Sequence, residues 1–317
     1  MYSNWLSFVK SIECNTSSKA SVIYLDHLGI LSFSGSDSEK FLHNQLTCDI
    51  ENLDSTQASP GGYLTAKGRL LCTFLIWRSG DEFLMQLPKA LAQPTMARLK
   101  MFILRDKVNI QDRSEEMACY GTIDANDKLM AFTGLSRTPY ARCKHDGFEV
   151  LNYIKNRALI IGDAEIFGKD LQLDPEKNNK NLMATLWRKI DIQDGWPNIM
   201  PETQDLFIPQ MINLEKWGGV SFKKGCYPGQ EIVARMQYRG MLKKTLHQIR
   251  LEPQGIIHSG DPIMHHDVSI GHIVNAEPDK NGSIALAVMQ NDTERTNLTV
   301  NGYAIKHVNA VDTINIT

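Results

Sequence analysis

The apolar positions of this chain change period several times, and each change marks an element. Residues 21–34, SVIYLDHLGILSFS, read as two short apolar strands around a turn at Asp26-His27. In the following GSDSEKFLHNQLTCDI, Phe41, Leu42, Gln45 and Leu46 fall at helical spacing. Ser36 and Glu39 stand at capping-box separation, which predicts a helix starting near Asp37. SPGGYLTAKGRLLCTFLIW reads as a hairpin, with a first turn at Pro60-Gly61-Gly62 and a second at Lys67-Gly68. Leu70 to Trp77 is almost unbroken apolar sequence, the pattern of a strand buried on both faces. DEFLMQLP predicts another strand, residues 89–102 a helix, and RDKVNI a return to strand.

From about residue 112 to 175 the strands shorten and the turns become polar. MACYGTID, KLMAFTG, GFEVLNYI and ALIIGDAEIFG predict a second α+β unit. DPEKNNKN (174–181) reads as a polar linker or cap. It leads into a helix with Leu182, Leu186 and Ile190 as its core line and Met183 and Trp187 on the adjoining stripe; GWPNIMPE ends it. After Gly240 short strands recur between turn residues: TLHQIRLE, DPIMHH, SIGHIVNAE, SIALAVM, NLTVNGYAIKHV. That rhythm predicts a small all-β barrel or sandwich of about 75 residues.

Composition changes this picture little. The 317 residues are 42% hydrophobic and 22% charged, ordinary globular values that suggest two or three domains. A net charge of -2 excludes a global basic footprint for nucleic acid, though not a local patch. No apolar run approaches the roughly 18–20 residues of a membrane span, and MYSNWLSFVKSIEC does not resemble a secretory signal. The expectation is a cytoplasmic protein with no membrane partner. Cys14, Cys48, Cys72, Cys119, Cys143 and Cys226 form no C-x-x-C pair and no zinc-like spacing. Reduced, mostly buried thiols are expected, and no metal held by this chain alone.

FKKGCYPGQEIVARMQYRG (222–240) carries the densest chemistry. Val220 to Phe222 reads as a strand end, Gly225 to Gly229 as a sharp turn, and Gln230 to Arg239 as a helix with Gly240 as its C′ residue. Pro228 suits the first helical turn. Cys226 then sits before a helix N-terminus beside Lys223 and Lys224, and both features favour a thiolate. The same free N–H groups would accept a carboxylate or phosphate. Glu231 and Arg235, and Arg235 and Arg239, are i, i+4 pairs. A capping turn with a buried cysteine and a solvated charged face remains an equal alternative.

A thiol nucleophile needs a base, and no histidine lies near Cys226 in sequence. His247, His258, His265, His266 and His272 all fall in the C-terminal β unit. His265 and His266 are adjacent strand positions, expected on opposite faces. A cysteine hydrolase is therefore weakly supported. Trp187 either presents a flat face to an aromatic ligand or is a partly buried core residue.

KGCYPGQE (224–231) resembles the signature K-G-C-[FY]-x-G-Q-E of the YgfZ folate-binding proteins, relatives of the glycine cleavage T protein and of mitochondrial iron–sulfur assembly factors. FIPQMINLEKWGGVSFKKGCYPGQEIVARMQYRG, GSDSEKFLHNQLTCDI, AKGRLLCTFLIW, SIGHIVNA and SIALAVM are similar to further family blocks. The resemblance implies an α+β, three-domain ring around a central folate channel, closed by a C-terminal β-barrel. Its units would be residues 1–111 with about 186–240, 112–185, and 241–317. It also implies tetrahydrofolate as bound ligand and a role in biogenesis or repair of iron–sulfur enzymes, including those that thiomethylate tRNA. Partners would be those enzymes or cluster carriers and, more weakly, tRNA.

By position, the resemblance makes Cys226 the functional thiol, within a motif of Lys224, Gly225, Tyr227, Gly229, Gln230, Glu231 and Arg235. Leu28 and Trp187 match positions that line the folate site, Leu28 where relatives can carry tryptophan. Cys72 and Thr73 stand where the T protein has acidic residues, and neither can act as a carboxylate. That disfavours, without removing, a second reading as a folate-dependent aminomethyl-type transferase. A third reading is an RNA-binding module built on Lys223, Lys224, Arg235, Arg239, Lys243 and Lys244.

Overall fold

The computed structural model describes residues 21–123, 126–145, 147–165, 180–251, 255–280 and 282–311. Cys14 and most of DPEKNNKN lie outside them. β1 (Ser21–Tyr24) and β2 (Leu28–Ser34) flank the expected turn at Asp26-His27 but enter different sheets. β2 joins β3 (Ala58–Leu64), β4 (Leu70–Ser79), β5 (Glu82–Pro88) and β6 (Asn109–Asp112) in an antiparallel sheet of order β3-β4-β5-β2-β6. α1 (Ser38–Gln45) and α2 (Lys89–Lys100) belong to the same body.

Pro60-Gly61-Gly62 does not turn; it runs through β3. The glycines answer to space. A Cβ on Gly61 would lie 2.5 Å from the Phe74 ring, and one on Gly62 2.7 Å from Leu70. β3 is an edge strand, where proline is tolerated. The Ser36/Glu39 capping box also fails to form: Asp37 is the N-cap, and Glu39 pairs with Arg78 instead.

The second sheet has the order β1-β7-β10-β9-β8, from β7 (Met117–Ile123), β8 (Arg142–His145), β9 (Phe148–Asn152) and β10 (Arg157–Asp163). KLMAFTG, expected as strand, is helical in α3 (Asn126–Thr133). Leu129, Met130 and Phe132 do not alternate, and Asp127 suits a helix N-terminus.

α4 (Lys180–Asp194) packs against β1 and the barrel, and its buried stripe differs from the one expected. Ala184, Trp187 and Asp191 are buried, whereas Leu186 is 40% exposed. The cause lies across the interface. Gly121 of β7 lacks a Cβ, and the Trp187 indole fills that slot.

The C-terminal unit is a closed antiparallel barrel of order β11-β14-β13-β12-β15-β16. Its strands are β11 (Lys244–Leu251), β12 (Pro262–His265), β13 (Val268–Asp279), β14 (Gly282–Gln290), β15 (Leu298–Val300) and β16 (Tyr303–Ala310). The unbroken apolar run of β14 reflects two buried faces. Ala285, Ala287 and Met289 fill the barrel, while Ile284, Leu286 and Val288 join the core of the first sheet. His265 and His266 do not diverge: His266 has φ 51°, and the two rings lie 4.5 Å apart. Among the described residues no helix is long and apolar enough to cross a membrane.

Candidate functional site

A cavity of about 520 Å3 opens where the β1–β2 turn, α4, the segment after α4 and the barrel meet. That volume suits a drug-sized ligand. Leu28, Pro88, Ile192, Met200 and Ile257 give it apolar walls. Its polar groups are tied to one another. Asn198 N–H donates to Asn275 Oδ1 at 2.8 Å, and Asn275 Nδ2 donates back to the Asn198 carbonyl at 2.8 Å. Arg188 pairs with Glu277 through Nε and Nη2. These contacts join the barrel to α4 and the segment behind it.

Two titratable groups face the cavity in unusual states. Burial, with help from the nearby Arg188 cation, pushes the His27 imidazole down to about 3, so the ring is neutral at neutral pH. Its Nδ1 is buried without a hydrogen-bond partner. Burial pushes the Asp191 carboxyl up to about 6, against the pull of Arg157, whose Nη1 lies 2.7 Å from Oδ1.

Leu28 lines the cavity; Trp187 does not. The indole is 1% exposed, stacked on Tyr153 at 5.4 Å and covered by the Arg157 guanidinium at 4.6 Å. Its place is one layer behind the wall, where it supports the Arg157–Asp191 pair. The wall from α4 is Arg188, Asp191 and Ile192. One signal in the sequence marks this: Asp191 is a carboxylate on the helix stripe of Trp187, where only a partnered charge can be buried. His27, Asn198 and Asn275 carry no comparable local signal.

The motif forms a separate surface, and none of its residues lines the cavity. Val220 to Phe222 is not a strand; Ser221 N–H donates to the Thr47 carbonyl at 2.9 Å. α5 (Gln230–Arg239) starts after Gly229, whose φ of 80° favours glycine. A Cβ there would also lie 2.6 Å from Gly68 Cα, in the β3–β4 turn. Gly240 ends α5 with an extended φ of -99°, not a left-handed one.

Lys224 is buried, and its ammonium is engaged by backbone carbonyls. Its Nζ donates to the carbonyls of His43, Leu46 and Cys48, capping the C-terminal end of α1. Burial pushes this ammonium down to about 8. The lysine expected to support a thiolate is therefore an anchor for the turn. Tyr227 is buried beneath it, with Nζ 5.1 Å from the ring. Cys226, Glu231 and Arg235 are exposed, as is Lys223, while Gly229 and Gln230 are half-buried. Among the described cysteines Cys226 is the exposed one. Cys48, Cys72 and Cys119 are buried, each pushed up to about 12 by that burial.

Cys72 lies in the first core and Thr73 beside it is also buried. The Thr73 hydroxyl donates to the Pro197 carbonyl at 3.3 Å and accepts from Ile199 N–H at 3.1 Å. It fastens the segment that carries Asn198 and offers the cavity no carboxylate. Among the described residues no group of three or more His, Cys, Asp or Glu side chains is arranged to hold a metal ion.

The two sheet bodies and the barrel match the glycine cleavage system aminomethyltransferase T of Bartonella henselae, with a TM-score of 0.65 over 96% of this chain and 88% of that one. At 12% identity this defines the class of fold, a T-protein-like α+β protein. The chain belongs to the YgfZ family. It is 31% identical over 228 residues to the tRNA-modifying protein YgfZ of Vibrio vulnificus (strain YJ016), covering 72% of this chain and 69% of that one. It is 31% identical over 230 residues to the tRNA-modifying protein YgfZ of Escherichia coli O157:H7, covering 70% and 69%. No family model matches the chain.

Proposed function

We propose that this chain binds a tetrahydrofolate in the cavity beside Leu28 and supports the biogenesis or repair of iron–sulfur enzymes that modify tRNA, with Cys226 as its surface thiol. The observation that carries the reading is the cavity itself. It combines apolar walls suited to a flat heteroaromatic ring with a few polar side chains, Arg188, Asn198, Asn275 and Glu277. Leu28, Pro88 and Ile257 would hold the ring. Bound folate would supply one-carbon or redox chemistry; the chain's own residues bind, orient and shield it. Trp187 acts through Arg157 and Asp191 and does not touch the ligand.

Aminomethyl transfer is the weaker reading, because Cys72 and Thr73 are buried structural residues. Lys223 and Arg235, both exposed and in the same motif as Cys226, suit an acidic client or RNA at the motif surface. Titration calorimetry with tetrahydrofolate, comparing the wild type with Leu28→Arg, tests the binding. The arginine puts a charge into an apolar wall, so affinity should fall at least roughly tenfold. No binding by the wild type, or equal binding by both, overturns the ligand assignment. Cells lacking their own family member, given Cys226→Ser, should fail to restore thiomethylated tRNA measured by mass spectrometry. Full rescue removes the thiol from the function.

A further inference from the structure

A second pocket lies on the seam between the first sheet's body and the barrel, lined by none of the residues of the larger cavity. We propose that it binds an oxyanion, the carboxylate or phosphate group of a small or polymeric ligand. Its volume is about 220 Å3. Three basic side chains from three different elements line it: Arg69 after the β3–β4 turn, Lys244 at the start of β11, and His272 on β13. Leu206, Phe207, Met211 and Val288 supply the remaining, apolar wall.

No carboxylate is among the lining residues. Among the described residues, none of the three basic groups pairs with an aspartate or glutamate. This differs from the pattern around the larger cavity, where Arg188 meets Glu277 and Arg157 meets Asp191. Like charges gathered against an apolar wall repel each other unless something neutralises them. Burial, with a smaller push from Lys244, holds the His272 imidazole below its ordinary value, so an arriving anion would favour its gaining a proton.

The site is also held in shape. Arg69 Nη1 donates to the Leu206 carbonyl at 2.6 Å, which fixes the guanidinium and leaves its other N–H groups for a ligand. The Arg69 backbone N–H is tied to Thr65 Oγ1 at 3.3 Å. A fixed guanidinium fork matches the geometry of a carboxylate or phosphate. On β13 a register shift between Ile273 and Asn275 lets both His272 and Asn275 face the first body, one at each site. The inference stands apart from the folate reading and survives its failure.

The test is a titration of the full chain with inorganic phosphate at constant ionic strength, following the His272 ring by NMR. The expected result is a saturable shift with a rise in the imidazole pKa. Arg69→Gln and Lys244→Gln should each weaken it by roughly tenfold, the loss of one charge-assisted hydrogen bond. A weak, non-saturating response that is the same in the wild type and both variants overturns the site. Because the wild-type titration is decisive alone, a variant that fails to fold does not rescue the idea. Competition against bound phosphate then separates the sources. Displacement by triglutamyl tetrahydrofolate assigns the site to carboxylates of a small molecule, and displacement by a short single-stranded RNA assigns it to backbone phosphates. Displacement by neither leaves free phosphate as the ligand.

Discussion

The slot between Gly121 and Trp187 can be probed by adding one methyl group. Gly121 sits in the interior strand β7, paired with Ile23 on one side and Leu159 on the other, so its backbone has no freedom to retreat. A Cβ there would lie 2.5 Å from Trp187 Cε3, 2.9 Å from Cη2, and closer still to Cζ3. Ordinary carbon contacts are about 3.5–4.0 Å, so the indole must move by about 1–1.5 Å. It has nowhere to go, since Tyr153 is stacked on it and Arg157 covers it. Gly121→Ala should therefore cost about 3 kcal/mol, the upper end of ordinary overpacking. Trp187→Leu alone should cost a similar amount, about 3 kcal/mol, by leaving a void. In the Trp187→Leu background, however, the alanine gains space and replaces a flexible strand glycine. There it should be neutral or stabilising by up to about 1 kcal/mol. Urea unfolding of the four proteins, followed by far-UV circular dichroism, measures the coupling, expected near 3 kcal/mol. An equal cost of Gly121→Ala in both backgrounds would refute the steric account of α4's burial.

Two further outcomes follow from buried charge. Lys224→Met strands three carbonyl acceptors, each worth roughly 1–3 kcal/mol, while relieving a buried ammonium; the net loss should be about 2 kcal/mol at neutral pH, with faster labelling of Cys226 by a thiol reagent as the turn loosens. Because the folded lysine titrates at about 8 against 10.5, the unfolded chain holds more protons between those values, so the wild type should gain stability on Lys224→Met as pH rises through that window. Asp191 moves the other way: raised from 3.8 to about 6, it binds its proton more tightly when folded. Its contribution is complete below pH 3.8 and is lost as pH rises through about 6, a slope that unfolding curves of Asp191→Asn should lack.

Much of the architecture is legible along the chain, because it depends on local period. The doubly buried β4, the helix entering at Asp37 and the repeated short strands of the barrel are set by patterns of neighbouring residues. What is not legible depends on partners distant in sequence. Pro60-Gly61-Gly62 has turn composition, yet Phe74 and Leu70 require its glycines in a strand. Leu186 is the better core residue by type, yet Gly121 selects Trp187. Lys224 has the composition of a thiolate partner, but the open end of α1 claims its ammonium. The motif is therefore visible as a string, while the cavity wall of His27, Asn198 and Asn275 exists only once three segments meet.

The outer face of the barrel bears on how any ligand reaches the larger cavity. Leu246, Val274, Ile284, Leu286 and Val288 are part of the same core as the first sheet, each at most 1% exposed. Swinging the barrel aside would flood that core with water, a cost proportional to the apolar area uncovered. Entry must then proceed through the existing mouth, by side-chain rearrangement and not by hinge motion. A ligand that binds there should leave the hydrodynamic radius unchanged, and uptake should depend on the size of the residues at the rim.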